Sequence, residues 1–169
     1  MRIRWSACHV AWIAATLVLA AAPVRAADPA AGEDEAAVKY RQKLMSAIGG
    51  DMGAIGDILK YGLPFPQNVA VHAQNLARSA GLIPSAFERR VVSGPTDAQP
   101  LVWEKHDVFL DKAKKLEEEA GKLAKLGGSA DPAALGRQVK AVGDACGGCH
   151  EDFRKPKEES YKRQAGGGA

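Results

Sequence analysis

The chain has 169 residues, with 23 Lys+Arg against 20 Asp+Glu and 6% aromatic residues. Three of the cations, Arg2, Arg4 and Arg25, fall within the first 26 residues, so the remainder is formally neutral. No net basic charge is left to neutralise phosphates, which argues against a nucleic-acid partner.

The first 26 residues read as a secretory signal peptide. Arg2 and Arg4 form a positive start, residues 10–22 are an apolar run, and Val24-Arg25-Ala26 is a small-residue cleavage signal. The expected cut after about Ala26 places the mature chain in the periplasm. The apolar run is shorter than the ~20 residues a spanning helix needs, so no membrane span is expected after cleavage. Cleavage leaves 143 residues, enough for one domain. It also removes Cys8, leaving only Cys146 and Cys149.

Residues 27–34 form a short Ala/Pro/Gly/acidic lead-in, expected to be flexible. From about residue 35 the pattern turns helical. Arg41, Met45, Ile48, Met52, Ile55 and Leu59 recur in steps of four and three, one face of an amphipathic helix. Gly49, Gly50, Gly53 and Gly56 each weaken that helix by about 1 kcal/mol against Ala. They suggest something bulky close to the backbone. Gly62 and Pro64 end the helix.

Pro66 opens a second helix, with Val69, Ala73, Leu76 and Ala80 as its stripe and Gly81 as its end. His72 lies at the stripe's edge. Residues 82–100 read as a long irregular connection, rich in turn residues. Connections of this length in a compact domain are often functional. A third helix over 101–126 carries Val102, His106, Phe109, Ala113, Leu116, Ala120 and Leu123 on one face. Glu117, Glu118 and Glu119 read as part of its solvated face.

Asp131 and Pro132 open the fourth helix as N-cap and first-turn proline. Its stripe runs Leu135, Val139, Val142, Cys146, Cys149 and Phe153. Pro156 stops it, and residues 157–169 read as a charged, flexible tail. Residues 35–156 are thus expected to fold as an all-α, antiparallel four-helix bundle, the kind of fold that builds cofactor sites in its core.

Cys146-Gly147-Gly148-Cys149-His150 carries the chemistry. CxxCH is an attachment motif for c-type haem: two thiols bond the haem vinyl groups, and the imidazole is a proximal iron ligand. Three-residue spacing on a helix puts both sulfurs on one face, here the core-facing one. An oxidising compartment also allows a disulfide or a redox-active dithiol, but no βαβ pattern surrounds the pair. A closed zinc site needs four ligands, and His72 and His106 show no motif spacing to the cysteines.

A CxxCH near the C-terminus of a four-helix bundle resembles the class II cytochromes c, which comprise the cytochromes c′ and their low-spin relatives. Residues 40–45, Tyr-Arg-Gln-Lys-Leu-Met, are similar to that family's R-Q-x-x-[ML] pattern. Asp97 to Pro100 with Trp103, and Cys149 to Lys155, add further likeness. The resemblance covers about residues 35–155. It implies one covalently attached haem c, bordered by Arg41, Gln42 and Asp97. Arg41 would pair with a propionate, Arg154 would stand on the proximal side, and Met45 over the iron on the distal side.

Met45 then sets the expected function. With His150 and Met45 both on the iron, the protein is an electron-transfer cytochrome serving redox partner proteins. The alternative is a five-coordinate, high-spin cytochrome c′ that binds diatomic gases such as NO or CO. No distal acid–base pair marks a haem enzyme, so an enzyme is not expected. The resemblance also implies a homodimer.

Overall fold

The computed structural model describes residues 29–128 and 131–166. The expected signal peptide lies outside the described residues. Seven helices and one 3-10 turn follow in order: α1 Pro29–Tyr61, α2 Gln67–Ala80, α3 Ile83–Ala86, α4 Leu101–Glu104, α5 His106–Leu126, α6 Pro132–Phe153, the turn Lys157–Glu159, and α7 Tyr161–Gly166. No strand occurs among the described residues. No described helix is long and apolar enough to cross a membrane.

The four long helices form the expected bundle. α1 packs on α2, α2 on α5, and α5 on α6. Cross-links show that neighbours run antiparallel. Asp51 meets His72 at 2.8 Å between α1 and α2. Lys112 reaches Gly148, while Gln138 reaches back to Glu119, between α5 and α6. The fourth side, between α1 and α6, lacks the close backbone approach of the other three.

The stripes on α2 and α5 are buried as their spacing predicts. Val69, Ala73, Leu76, Ala80, Phe109, Ala113, Leu116, Ala120 and Leu123 all join the core. Burying a large aliphatic of this kind contributes about 1.5–3 kcal/mol. Just after α5, Gly127 meets the backbone of Ala70; a Cβ there would stand 2.4 Å from the Ala70 N and Cα atoms. Only glycine lets the end of α5 come so near α2.

Three boundaries differ from the sequence expectation. α1 begins at Pro29, inside the expected flexible lead-in, because Glu33 and Asp34 are held by Arg89 across the molecule at 2.8 and 2.5 Å. The connection 82–100 contains α3 and is tied at many points, described below. The expected third helix breaks at Lys105 (φ −121°, ψ 50°) into α4 and α5.

The α1 stripe is also rotated. Val38, Arg41, Leu44, Ile48, Ile55 and Ile58 are buried, whereas Leu59 is 38% exposed and Met45 and Met52 are half-buried. The glycines do not serve close packing within this chain. A Cβ on Gly49, Gly50, Gly53 or Gly56 would meet no described atom within 4 Å.

Candidate functional site

Asp131 starts α6 by accepting hydrogen bonds from the Ala133 and Ala134 amides at 2.9 and 3.0 Å. This fixes the helix phase, and with it the direction of everything downstream. Leu135, Val142 and Phe153 are buried on the core face. Cys146 and Cys149 lie half-buried on the same face, packed against the core cluster. His150, one residue further round, is exposed.

The two cysteines are unbridged. Burial pushes the Cys146 thiol up, and it pushes Cys149 up to about 11 even with the Lys112 cation opposing. Both are therefore protonated at neutral pH. A dithiol oxidoreductase needs a thiolate of lowered pKa, so this pair is poorly suited to disulfide exchange. The surrounding protein disfavours the His150 cation although the ring is open to solvent, and Arg154 adds repulsion. The neutral imidazole that results is the form that binds iron.

Across the open side stands α1. Met52 reaches towards α6, its Cε 3.9 Å from where a Cβ on Gly143 would lie. Met45 sits seven residues, two turns, before it on the same helix face. Both thioethers pack on the core while remaining part-exposed. Two half-buried thiols and an imidazole on one helix, with Met52 of α1 reaching that helix, form a donor set and an apolar wall that fit a covalently attached haem.

Arg41 and Gln42 sit one turn before Met45, and both are engaged by the connection 82–100. Arg41 is only 3% exposed. Its Nε donates to the Ala86 carbonyl at 2.8 Å and an Nη to Val91 at 3.4 Å, while the other Nη donates to the Arg89 carbonyl. Its guanidinium lies 5.0 Å from the Phe87 ring centre and 5.1 Å from that of Trp103. The Gln42 side-chain amide donates to the Pro95 carbonyl at 2.6 Å.

Asp97 joins the far end of this connection to α6 and to the C-terminal segment. Its Oδ2 accepts from the Ser160 hydroxyl at 2.9 Å and from Arg154 at 3.3 Å; its Oδ1 accepts from the Tyr161 amide at 2.9 Å. The connection is thus a strap running from α1 to α6, the two helices whose backbones do not pack closely.

The residues proposed from sequence thus lie on α1, on α6 and on the strap that links them. Met52 was read only as part of a stripe; its seven-residue spacing from Met45 is the signal that places it on the same wall. Lys112 gave no signal. It donates to the Gly148 carbonyl, between the two cysteines, and to Asp152, both at 2.6 Å. His72 pairs with Asp51, and the Nδ1 of His106 lies 3.2 Å from the Val102 carbonyl. Among the described residues no group of three or more His, Cys, Asp or Glu could hold a free metal ion.

An attachment motif turned into an open-sided helical bundle defines the class: a c-type haem protein built on four helices. Comparison with known proteins agrees. The family model described as cytochrome c′ matches residues 36–154. The cytochrome c′ of Pararhodospirillum photometricum is 36% identical over 122 residues, covering 72% of this chain and 98% of the relative. Cytochrome c-554 of Cereibacter sphaeroides is 34% identical over 148 residues, covering 85% and 95%. Among solved structures, cytochrome c prime from Shewanella frigidimarina superposes with a TM-score of 0.67 at 27% identity, covering 73% of this chain and 97% of that one. A cytochrome c prime variant from Alcaligenes xylosoxidans gives 0.65 at 26% identity, with the same coverage. The chain belongs to the cytochrome c′ family, and its cofactor is one covalently attached haem c.

Proposed function

We propose that this chain is an exported, periplasmic cytochrome c′ that binds a diatomic gas rather than turning over a substrate. Cys146 and Cys149 attach the haem, and His150 alone holds the iron. When bound, the haem would supply an iron able to take up NO or CO. The residues of α1 shape the space on that side.

The observation that carries this reading is the packing of Met45. Its side chain packs against the buried core cluster while staying part-exposed. A methionine so placed forms an apolar roof, the usual role of this flexible side chain in a core. The family comparison points the same way, since four of the Alcaligenes xylosoxidans structures hold nitric oxide. Arg41 keeps a place beside the cofactor. Three of its N–H groups serve the strap, and a guanidinium has five, leaving two for a propionate. Gln42 borders the same edge through Pro95.

The expected electron carrier, with His150 and Met45 both on iron, ranks second. In its favour, Met45 is part-exposed and shares a helix face with Met52, which reaches α6. Optical spectra of the ferric and ferrous protein, with and without carbon monoxide, separate the two. A high-spin ferrous spectrum that shifts on adding carbon monoxide, unchanged in Met45→Leu, is the expected result. A low-spin spectrum that becomes high-spin in Met45→Leu would establish the electron carrier instead. Mass spectrometry of the mature chain should show one covalent haem.

A further inference from the structure

The strap also holds a segment that the family match does not reach. That match ends at residue 154, yet the chain continues as an ordered segment. Ser160 is only 6% exposed. Asp97 receives three side-chain contacts there, from Ser160, Arg154 and the Tyr161 amide. Its backbone carbonyl accepts from the Lys155 amide at 2.7 Å. Lys155 then reaches back to the Thr96 carbonyl with its ammonium at 3.0 Å.

The same few residues cap α6. The last carbonyls of a helix have no partner within the helix. Here the Phe153 carbonyl accepts from the Gln99 amide at 2.9 Å, and the Arg154 carbonyl accepts from the Gln99 side chain at 2.8 Å. Ala98 and Arg154 pair as a single antiparallel bridge. The turn of α6 that carries His150 is thus held by the strap, and the strap is held by the segment beyond Pro156. Burial alone would raise the Asp97 carboxyl, but Tyr161, Ser160 and Arg154 together hold it below its ordinary value. That is how a carboxylate committed to donors of its own chain behaves.

We infer that Asp97 is a positioning residue: it fastens residues 157–164 as a clasp on the strap and, through Arg154 and Gln99, fixes the last turn of α6 and the orientation of His150. This role comes in addition to the haem-edge contact that the resemblance implies for Asp97. The inference rests on His150 as the axial ligand only where the iron is the reporter.

The test uses the holoprotein, its Asp97→Asn variant and a chain ending at Pro156. Two readouts are followed: amide hydrogen exchange at Gln99 and Lys155, and the iron–imidazole stretching band of the ferrous protein by resonance Raman. Both variants should speed exchange at Lys155 by about tenfold or more, the signature of local opening, and should shift the band in the same direction. Amides of Leu76 and Leu116 should stay protected. Ser160→Ala, which removes a single contact, should give a smaller change of the same sign and guards against misfolding of the larger variants. An unmoved band, or Lys155 exchange within about twofold of the parent, would overturn the inference. A parent protein with no iron–imidazole band would sink the His150 assignment, and the exchange arm would still decide the clasp.

Discussion

Arg41 shows how far a single side chain can depart from its sequence appearance. It lies on an apolar stripe, and as a charged residue it could equally be a surface residue or a cofactor contact. Its guanidinium gathers the carbonyls of Ala86, Arg89 and Val91, which lie 45 to 50 positions away. No local pattern reports such partners. The planar fork matters here, since an ammonium offers no fixed set of divergent donors. Arg41→Lys keeps the charge but leaves at least two of these carbonyls without a donor. It should cost about 2–4 kcal/mol, at roughly 1–3 kcal/mol per unmet polar group. Urea unfolding of the holoprotein measures this; a loss below about 0.5 kcal/mol, the range of an ordinary surface change, would show that the strap does not depend on Arg41.

Between elements, what could be read in the sequence divides by the range of the interactions. The stripes of α2, α5 and α6 were legible because helix periodicity is local and those faces are wholly or largely buried. α1 was read one position off, Leu59 for Ile58, because its face is split between a buried edge and the part-exposed methionines. The clasp was illegible, since its bonds join residues 57 to 64 positions apart. Glu119 hid in the run of three glutamates read as solvated. Its side chain is 7% exposed and held by Lys115, Lys122 and Gln138 at 2.6, 2.9 and 2.6 Å. Those three bonds, in that order of effect, draw its carboxyl down to about 2 from the ordinary 4.5. A lowered carboxylate pKa adds stability above the unfolded-state value and loses it as pH falls through the folded one. The α5/α6 link should therefore weaken as pH drops from 4.5 towards about 2. Over that window the urea midpoint of the parent should fall more steeply than that of Glu119→Gln. Parallel slopes would assign the acid lability to other carboxylates.

At the scale of the whole molecule, the bundle is complete on three sides. α2 and α5 each pack on two long helices, whereas α1 is held chiefly by α2 and α6 chiefly by α5. Among the part-buried side chains, Met45, Met52, Val139, Ala145, Cys146 and Cys149 lie on the two outer helices. The cofactor that the family carries is apolar over most of its area, and thioether bonds at Cys146 and Cys149 would place it against these side chains. It would then act as a structural fourth side as well as the proposed gas site. Cys146→Ser with Cys149→Ser removes the attachment and should divide the molecule along that line. Far-ultraviolet circular dichroism should keep most of its helical signal. Hydrogen exchange should remain slow in α2 and α5 and become fast in α1 and α6, because outer elements open before the core does. A loss of about 3 kcal/mol, that of one or two large apolar side chains, lowers the thermal midpoint of a chain this size by roughly 10 °C. Equal protection in all four helices, with an unchanged midpoint, would mean that protein contacts alone close the α1/α6 side and that the haem is bound without supporting the fold.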